Sequence, residues 1–348
     1  MGCFGYPSKL IRLLQALYDQ SQSTVRVNGE LTEWFKTTVG VRQGCAISPQ
    51  LFNILLELVM TMAMEEVQIG AKIQGTCINN LRFADDIVLI AETPEELQTL
   101  VDKVYKASCD LGLKVNIAKT EVQAISKSKC NLNIDIANDR LKQVEDFVYL
   151  GGKIAENGSS TSDIKNRIRK AGAAFQRLNN IWTSKSISSH TKMQLYQSLI
   201  LSILLYGAES WTVKKEDSNR LQVFEMACLR RIMGVTRLDK IRNTHIKESL
   251  NLDQDVMDKV STKRLKYFGH VLRMKPTRYP KIAVEGKVTG NRPRGRPPKR
   301  WLDCISEDCK ARSIPRLTDA SRLAADRKTR HTITIQKPSQ GPWPAWTA

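Results

Sequence analysis

The sequence predicts an α+β fold, and three observations predict it. Short apolar, β-branched runs bounded by turn signals alternate with helical periods over residues 1–155. One of those helices is apolar nearly all round, as a helix buried against other elements must be. From about residue 158 the pattern becomes helical and basic. Strands and helices alternating over one small sheet give a layered arrangement with helices on one face.

In order along the chain, residues 8–20 (SKLIRLLQALYDQ) repeat apolar side chains at helical spacing. TVRVNGELTEWFKTTV reads as a hairpin, with Asn28-Gly29 supplying the positive-φ turn. GVRQGCAISPQLFNILLELVMTMAMEE is a Gly-bearing loop leading into the apolar helix, Pro49–Glu66. Ser48 is placed as its N-cap and Pro49 at its first position. In LRFADDIVLIAE, Leu81 and Phe83 alternate as one strand and Ile87–Ile90 form a second, buried one. The adjacent acids Asp85 and Asp86 then fall at a hairpin tip. Like charges that close repel unless a cation sits beside them, and Mg²⁺ binds through one or two carboxylates plus substrate phosphates. An ordinary Asp-rich β-turn reads the same way. Thr93-Pro94-Glu95-Glu96 forms a capping box, Leu97, Leu100, Val101 and Val104 line one helix face, and Gly112 closes that helix. FVYLGGKI, residues 147–154, is a further hairpin.

The 348 residues are enough for two or three domains with real cores. No apolar run is long enough for a membrane span, and the N-terminus lacks a signal-peptide pattern. MGCFGY has Tyr6 where the myristoylation pattern wants Ser or Thr. The eight cysteines contain no CxxC pair and read as reduced and intracellular, with no disulfide partner expected.

The net charge of +19 is unevenly spread. Residues 1–155 hold 16 Lys and Arg against 18 Asp and Glu; residues 156–348 hold 38 against 17, an excess of 21. Such asymmetry points to one half that does chemistry or packs a core and another that meets a polyanion. Nucleic acid is that polyanion, since Lys and Arg neutralising phosphates dominate its binding. A merely soluble basic surface is the competing reading.

The segments GVRQGCAISPQLFN, FADD, LGLKVNIAKTE and FVYLGGKI, in this order and spacing, resemble the palm of the reverse transcriptases of non-LTR retrotransposons. LYGAESW, KYFGHVLRM and GRPPKRWLD look like the thumb and carboxy-terminal region of the same open reading frames, so the likeness covers about residues 5–330. The resemblance implies a partial palm over residues 1–155, a small antiparallel sheet with helices on one face. A helical, basic, thumb-like region over 156–285 would follow, then a basic Pro/Gly/Arg linker over 286–300. A C-terminal helical segment over 301–330 and a disordered tail over 331–348 complete it.

The resemblance also implies roles. Asp85 and Asp86 match the acids that bind catalytic Mg²⁺, Asp85 as the direct ligand. Arg42, Gln43 and Gly44 match the loop beside the incoming nucleotide and template. Lys119 matches a lysine that helps pyrophosphate leave, and Tyr149, Leu150 and Gly151 match the hairpin that holds the primer terminus. The alternatives are an ordinary surface lysine and a packed aromatic. The implied partners are an RNA template, a DNA primer or target and dNTPs, with no membrane, and the implied location is the nucleus.

Departures accompany the likeness. No acid precedes Asp19, whereas a working polymerase of this kind carries a further Asp upstream of the first helix, and fingers and an endonuclease have no counterpart. Little polymerase activity and only weak Mg²⁺ binding are therefore expected of the chain alone. Residues 329–348 do not match the family's closing segment, as a changed reading frame would explain. RPRGRPPKR looks like an AT-hook, with Arg294 and Arg296 reaching into an A·T minor groove. Alternatively Arg292, Arg294, Arg296, Lys299 and Arg300 form a phosphate-neutralising linker without groove preference.

Overall fold

The structure is a computed structural model that describes residues 1–126, 130–286, 299–314 and 319. The expected linker over 286–300 lies outside the described residues except for Gly286, Lys299 and Arg300, and the expected tail over 331–348 lies wholly outside. The described chain mixes helices with small β-ladders, as expected of an α+β fold. The ladders are separate pairs of two strands, however, where the alternation predicted one small sheet. Most strands run only two to four residues, too short to recruit a third partner along their edges.

Two compact units emerge. The first comprises residues 1–71, 77–117 and 134–140; the second comprises 72–76 and the described residues of 118–133 and from 141 onward.

The first unit is built on three helices: α1 (Ser8–Tyr18), α2 (Ser48–Met64) and α3 (Pro94–Asp110). The apolar run of α2 buries Leu56, Val59, Met60 and Ala63 against Val104 and Ala107 of α3. Ile87 and Leu89, on the hairpin that carries the acids, pack on the same cluster. Fully burying a side chain such as Val59 is worth roughly 1.5–3 kcal/mol, so this cluster fixes the hairpin to the helix pair. By contrast, α1 buries only Leu14 and leaves Leu10, Leu13 and Leu17 exposed.

Caps differ in detail from expectation. The cap of α2 is Ile47, with Ser48 already helical; the Ser48 hydroxyl is engaged with the Tyr18 hydroxyl at 3.2 Å instead. Thr93 does cap α3, accepting from the Glu96 amide, but Glu96 reaches back to the Glu92 amide rather than to that of Thr93. Asn28 and Gly29 both take positive φ, closing the Arg26–Val27 and Glu30–Leu31 hairpin as its sequence required.

The second unit is a helical bundle. Its helices are α4 (Thr161–Arg177), α5 (Asn179–Thr183), α6 (Ser189–Leu195), α7 (Leu201–Leu204), α8 (Lys215–Met233), α9 (Asn243–Ser249), α10 (Val256–Leu272), α11 (Tyr279–Glu285) and α12 (Trp301–Lys310). A π turn at Tyr196–Ile200 joins α6 to α7. Trp182, Tyr196, Leu204, Trp211, Leu221, Leu229 and Val260 form the centre of the core. Helix α12 is locked to α10 by a buried fork, with Arg264 donating to both carboxylate oxygens of Asp308 at 2.8 and 2.9 Å. The Trp301 indole donates to the carbonyl of Glu209 at 2.8 Å.

Candidate functional site

The acid hairpin pairs Asn80–Phe83 with Asp86–Leu89, Phe83 opposite Asp86. Ala84 and Asp85 make the two-residue turn, so Asp85 sits at the tip and Asp86 opens the second strand. Ala84 takes φ 51°, a left-handed value that a Cβ disfavours by roughly 1–2 kcal/mol. Backbone strain of that kind collects where a turn must hold particular side chains in place. Both acids are exposed, and neither has a hydrogen-bond or ion-pair partner among the described residues. Beneath them Arg82 reaches Glu57 of α2 at 2.7 Å, tying the hairpin to the helix from its outer face.

The donor set of this tip is two carboxylates, hard oxygen ligands of the kind Mg²⁺ takes. Among the described residues no group of three or more His, Cys, Asp or Glu could hold a metal ion. Two carboxylates match the chemistry of Mg²⁺ but would make up only part of its shell, the remainder falling to phosphate oxygens and water.

The loop before α2 belongs to the same unit. Gly44 takes φ 79°, and a Cβ there would meet nothing within 4 Å. Its left-handed backbone is one that glycine adopts without the strain a Cβ would bring. Arg42 donates to the Ser21 hydroxyl at 2.7 Å and lies 5.9 Å from the Tyr18 ring centre. Gln43 is exposed. Cys45 follows, its thiol held below the usual value by the Ile47 amide, by Ser48 and by the Arg42 charge.

Lys119 and the Tyr149 hairpin fall in the second unit. Lys119 is exposed and ends a single 3-10 turn, Ile117–Lys119. The Tyr149 hairpin pairs Asp146–Tyr149 with Gly152–Ala155, turning through Leu150 and Gly151, which have φ 48° and 78°. Lys153 binds Asp146 at 2.7 Å, and that bond is the main reason the Asp146 carboxyl is held below its usual value. Two side chains that sequence reasoning did not single out meet the turn. Tyr206 donates its hydroxyl to the Leu150 carbonyl at 2.9 Å, and Arg167 donates to the Gly151 carbonyl. Tyr206 stood in the quoted LYGAESW motif, but nothing local to that motif announces a partner so distant in sequence. A pocket of about 300 Å³ opens beside the hairpin, lined by Tyr149, Lys153, Ser160, Asp163 and Trp211 among others.

Arg292, Arg294 and Arg296 lie outside the described residues. Lys299 and Arg300 are described and both are paired: Lys299 with Glu307 at 2.6 Å, and Arg300 with Asp303 at 3.3 Å at the start of α12. No helix among the described residues is long and apolar enough to cross a membrane.

Comparison with known proteins identifies the family. Residues 1–154 match the family described as reverse transcriptase (RNA-dependent DNA polymerase), and residues 174–206 match a domain of unknown function. A transposon-derived protein of Caenorhabditis elegans is 30% identical over 267 residues, 74% of this chain and 95% of that protein. The retrovirus-related Pol polyprotein of the type-2 retrotransposable element R2DM of Drosophila melanogaster is 31% identical over 186 residues, half of this chain and 17% of the polyprotein. The corresponding R2 polyprotein of Popillia japonica is 25% identical over 220 residues, 60% of this chain and 35% of its own length. The chain thus spans well under half the length of the polyproteins it matches. With paired acids on a helix-backed hairpin, a family match over the acid-bearing region and a relative matched over nearly its whole length, the chain belongs to the reverse transcriptases of non-LTR retrotransposons.

Proposed function

We propose that the chain supplies part of a palm, and the helical region that follows it, to RNA-directed DNA synthesis, with incoming dNTPs added to a primer 3′ end on an RNA template. The observation that carries this reading is the exposed Asp85–Asp86 pair at the tip of a hairpin packed on α2 and α3. Asp85 and Asp86 would hold Mg²⁺, which when bound supplies positive charge against the charge developing on the transferring phosphate. The chain's own residues do the rest. Gly44 turns the loop that carries Arg42 and Gln43 toward the nucleotide and template, Lys119 offers a proton or charge to the leaving pyrophosphate, and the Tyr149–Gly151 hairpin holds the primer terminus.

This reading assigns two carboxylates to the metals, Asp85 and Asp86, where the family resemblance implies a third. Sharing two metals with one carboxylate fewer costs several kcal/mol of transition-state stabilisation, about 10³-fold or more in rate. A primer-extension assay on the purified chain, with and without Mg²⁺, tests this. Extension at background is the expected result; brisk Mg²⁺-dependent extension abolished by Asp85→Asn would show the set to be complete.

A second reading is non-catalytic binding of nucleic acid, with a nuclear site of action. It is favoured by the excess of 21 basic residues from residue 156 onward. The two readings part in one measurement: binding to a primer–template that Mg²⁺ strengthens, and that loses this dependence in Asp85→Asn with Asp86→Asn, supports the first, whereas binding indifferent to Mg²⁺ and to both substitutions supports the second.

A further inference from the structure

The turn of the Tyr149 hairpin leaves two backbone carbonyls that no ladder partner can take, those of Leu150 and Gly151. Both are instead met by side chains from the helical layer. The Leu150 carbonyl accepts from the Tyr206 hydroxyl at 2.9 Å, and the Gly151 carbonyl accepts from the Arg167 guanidinium. The two donors also hold each other, for the guanidinium of Arg167 lies over the Tyr206 ring at 4.3 Å from its centre.

This pair is anchored from below. Arg167 is only 6% exposed, and Asp163, one turn earlier on α4, stands 3.7 Å from its Nε. Asp163 is itself fixed, accepting the Lys153 amide at 3.0 Å and the Trp211 indole N–H at 2.8 Å. The second strand of the hairpin, helix α4 and the segment that carries Tyr206 and Trp211 are therefore joined through one buried carboxylate. Tyr206, in contrast, is 51% exposed beside the turn. A planar fork stacked on a ring and backed by a buried acid fixes direction as well as distance, which a flexible lysine could not do. Fixing matters here because misplacing a reacting group by about 1 Å can cost on the order of 10²-fold in rate.

We infer that Arg167 and Tyr206 are positioning residues for the primer terminus, setting where the Leu150–Gly151 turn meets the strand end. The inference rests on the proposed role of the Tyr149 hairpin and extends it to two residues of the helical layer. It implies that the helical unit steers the hairpin, rather than merely binding duplex alongside it.

The test uses the full chain and two nucleic acid probes of equal length. One is an RNA template with a recessed DNA primer 3′ end; the other is the same duplex made blunt. Fluorescence anisotropy at fixed salt gives the ratio of the two affinities. Tyr206→Phe removes the hydroxyl and keeps the ring over Arg167, while Arg167→Lys keeps a charge and loses the fork. The wild type should prefer the recessed end. Losing one hydrogen bond should shrink that preference roughly 5-fold in Tyr206→Phe, with blunt-duplex affinity and Tm unchanged. A wild-type preference that survives in both variants overturns the inference and leaves the hairpin's role intact. No preference in the wild type overturns the hairpin's role, and the inference falls with it. Should Arg167→Lys fail to fold, Tyr206→Phe alone decides.

Discussion

Glu225 on α8 is an acid in the middle of a hydrophobic core, and its titration should set the pH dependence of the helical unit. The residue is 1% exposed. One carboxylate oxygen accepts the Val256 amide at 3.1 Å at the start of α10, and the other has no partner among the described residues. Burial raises its pKa from an ordinary 4.5 to about 7, opposed by the Val256 amide and by the charges of Lys259 and Lys247, and reinforced by Asp255. The folded pKa lies above the unfolded one, so folding takes up a proton between those two values. Stability is highest below pH 4.5 as far as this group is concerned, falls as pH rises to 7, and levels off beyond. A shift from 4.5 to about 7, at 1.36 kcal/mol per unit, amounts to about 3 kcal/mol lost across that window. Glu225→Gln removes the titration and keeps an acceptor for Val256. Urea unfolding followed through Trp182 and Trp211, both in this core, measures the two proteins from pH 4.5 to 8. The stability difference between wild type and Glu225→Gln should change by about 3 kcal/mol between pH 4.5 and 7 and be flat above. Parallel curves across that range would refute the reasoning.

The other expectations are simpler. Calorimetric titration of the chain with Mg²⁺ should give affinity in the millimolar range or weaker, abolished by Asp85→Asn with Asp86→Asn at unchanged Tm; micromolar affinity would reveal a further ligand. Asp308→Asn leaves Arg264 buried without its counter-ion and should cost roughly 3–5 kcal/mol, read by denaturant unfolding, with α12 losing hydrogen-exchange protection first. Ala84→Gly relieves the left-handed strain of the acid hairpin and should not lower Tm, so a marked drop would show that Ala84 makes contacts the turn needs. Duplex affinity should fall with salt on a log–log plot with a slope of roughly −4 to −5 if about five phosphates are neutralised; salt-independent binding would discard the electrostatic reading.

What could be read from the sequence was what depends on near neighbours. The Asn28-Gly29 turn, the acid hairpin and the apolar α2 follow from local period and turn chemistry, and so did the chain's kinship. The joining of strands was not legible, because pairing between strands of two to four residues is decided by tertiary packing. Ser48 looked like a cap because its chemistry suits one, but Tyr18, 30 residues earlier, offered its hydroxyl a competing partner. Lys299 and Arg300 read as free basic residues, yet Glu307 and Asp303 on the next helix neutralise them. Tyr206 and Arg167 stand 56 and 16 residues from the carbonyls they hold, and Glu225 sits in an ordinary amphipathic run. Separations like these leave no periodic trace.

The docking of α12 ties this protein's survival to its reading frame. Trp301 closes onto a carbonyl 92 residues upstream, Asp308 neutralises Arg264 across 44, and Arg312 reaches back 51 to Ser261. A premature stop or a frameshift before codon 301 removes all three and uncovers Leu265 and Phe268, which pack on Ile305 and Cys309, giving a product open to proteolysis. Any pressure to keep a stable protein is thus pressure to keep the frame through residue 312.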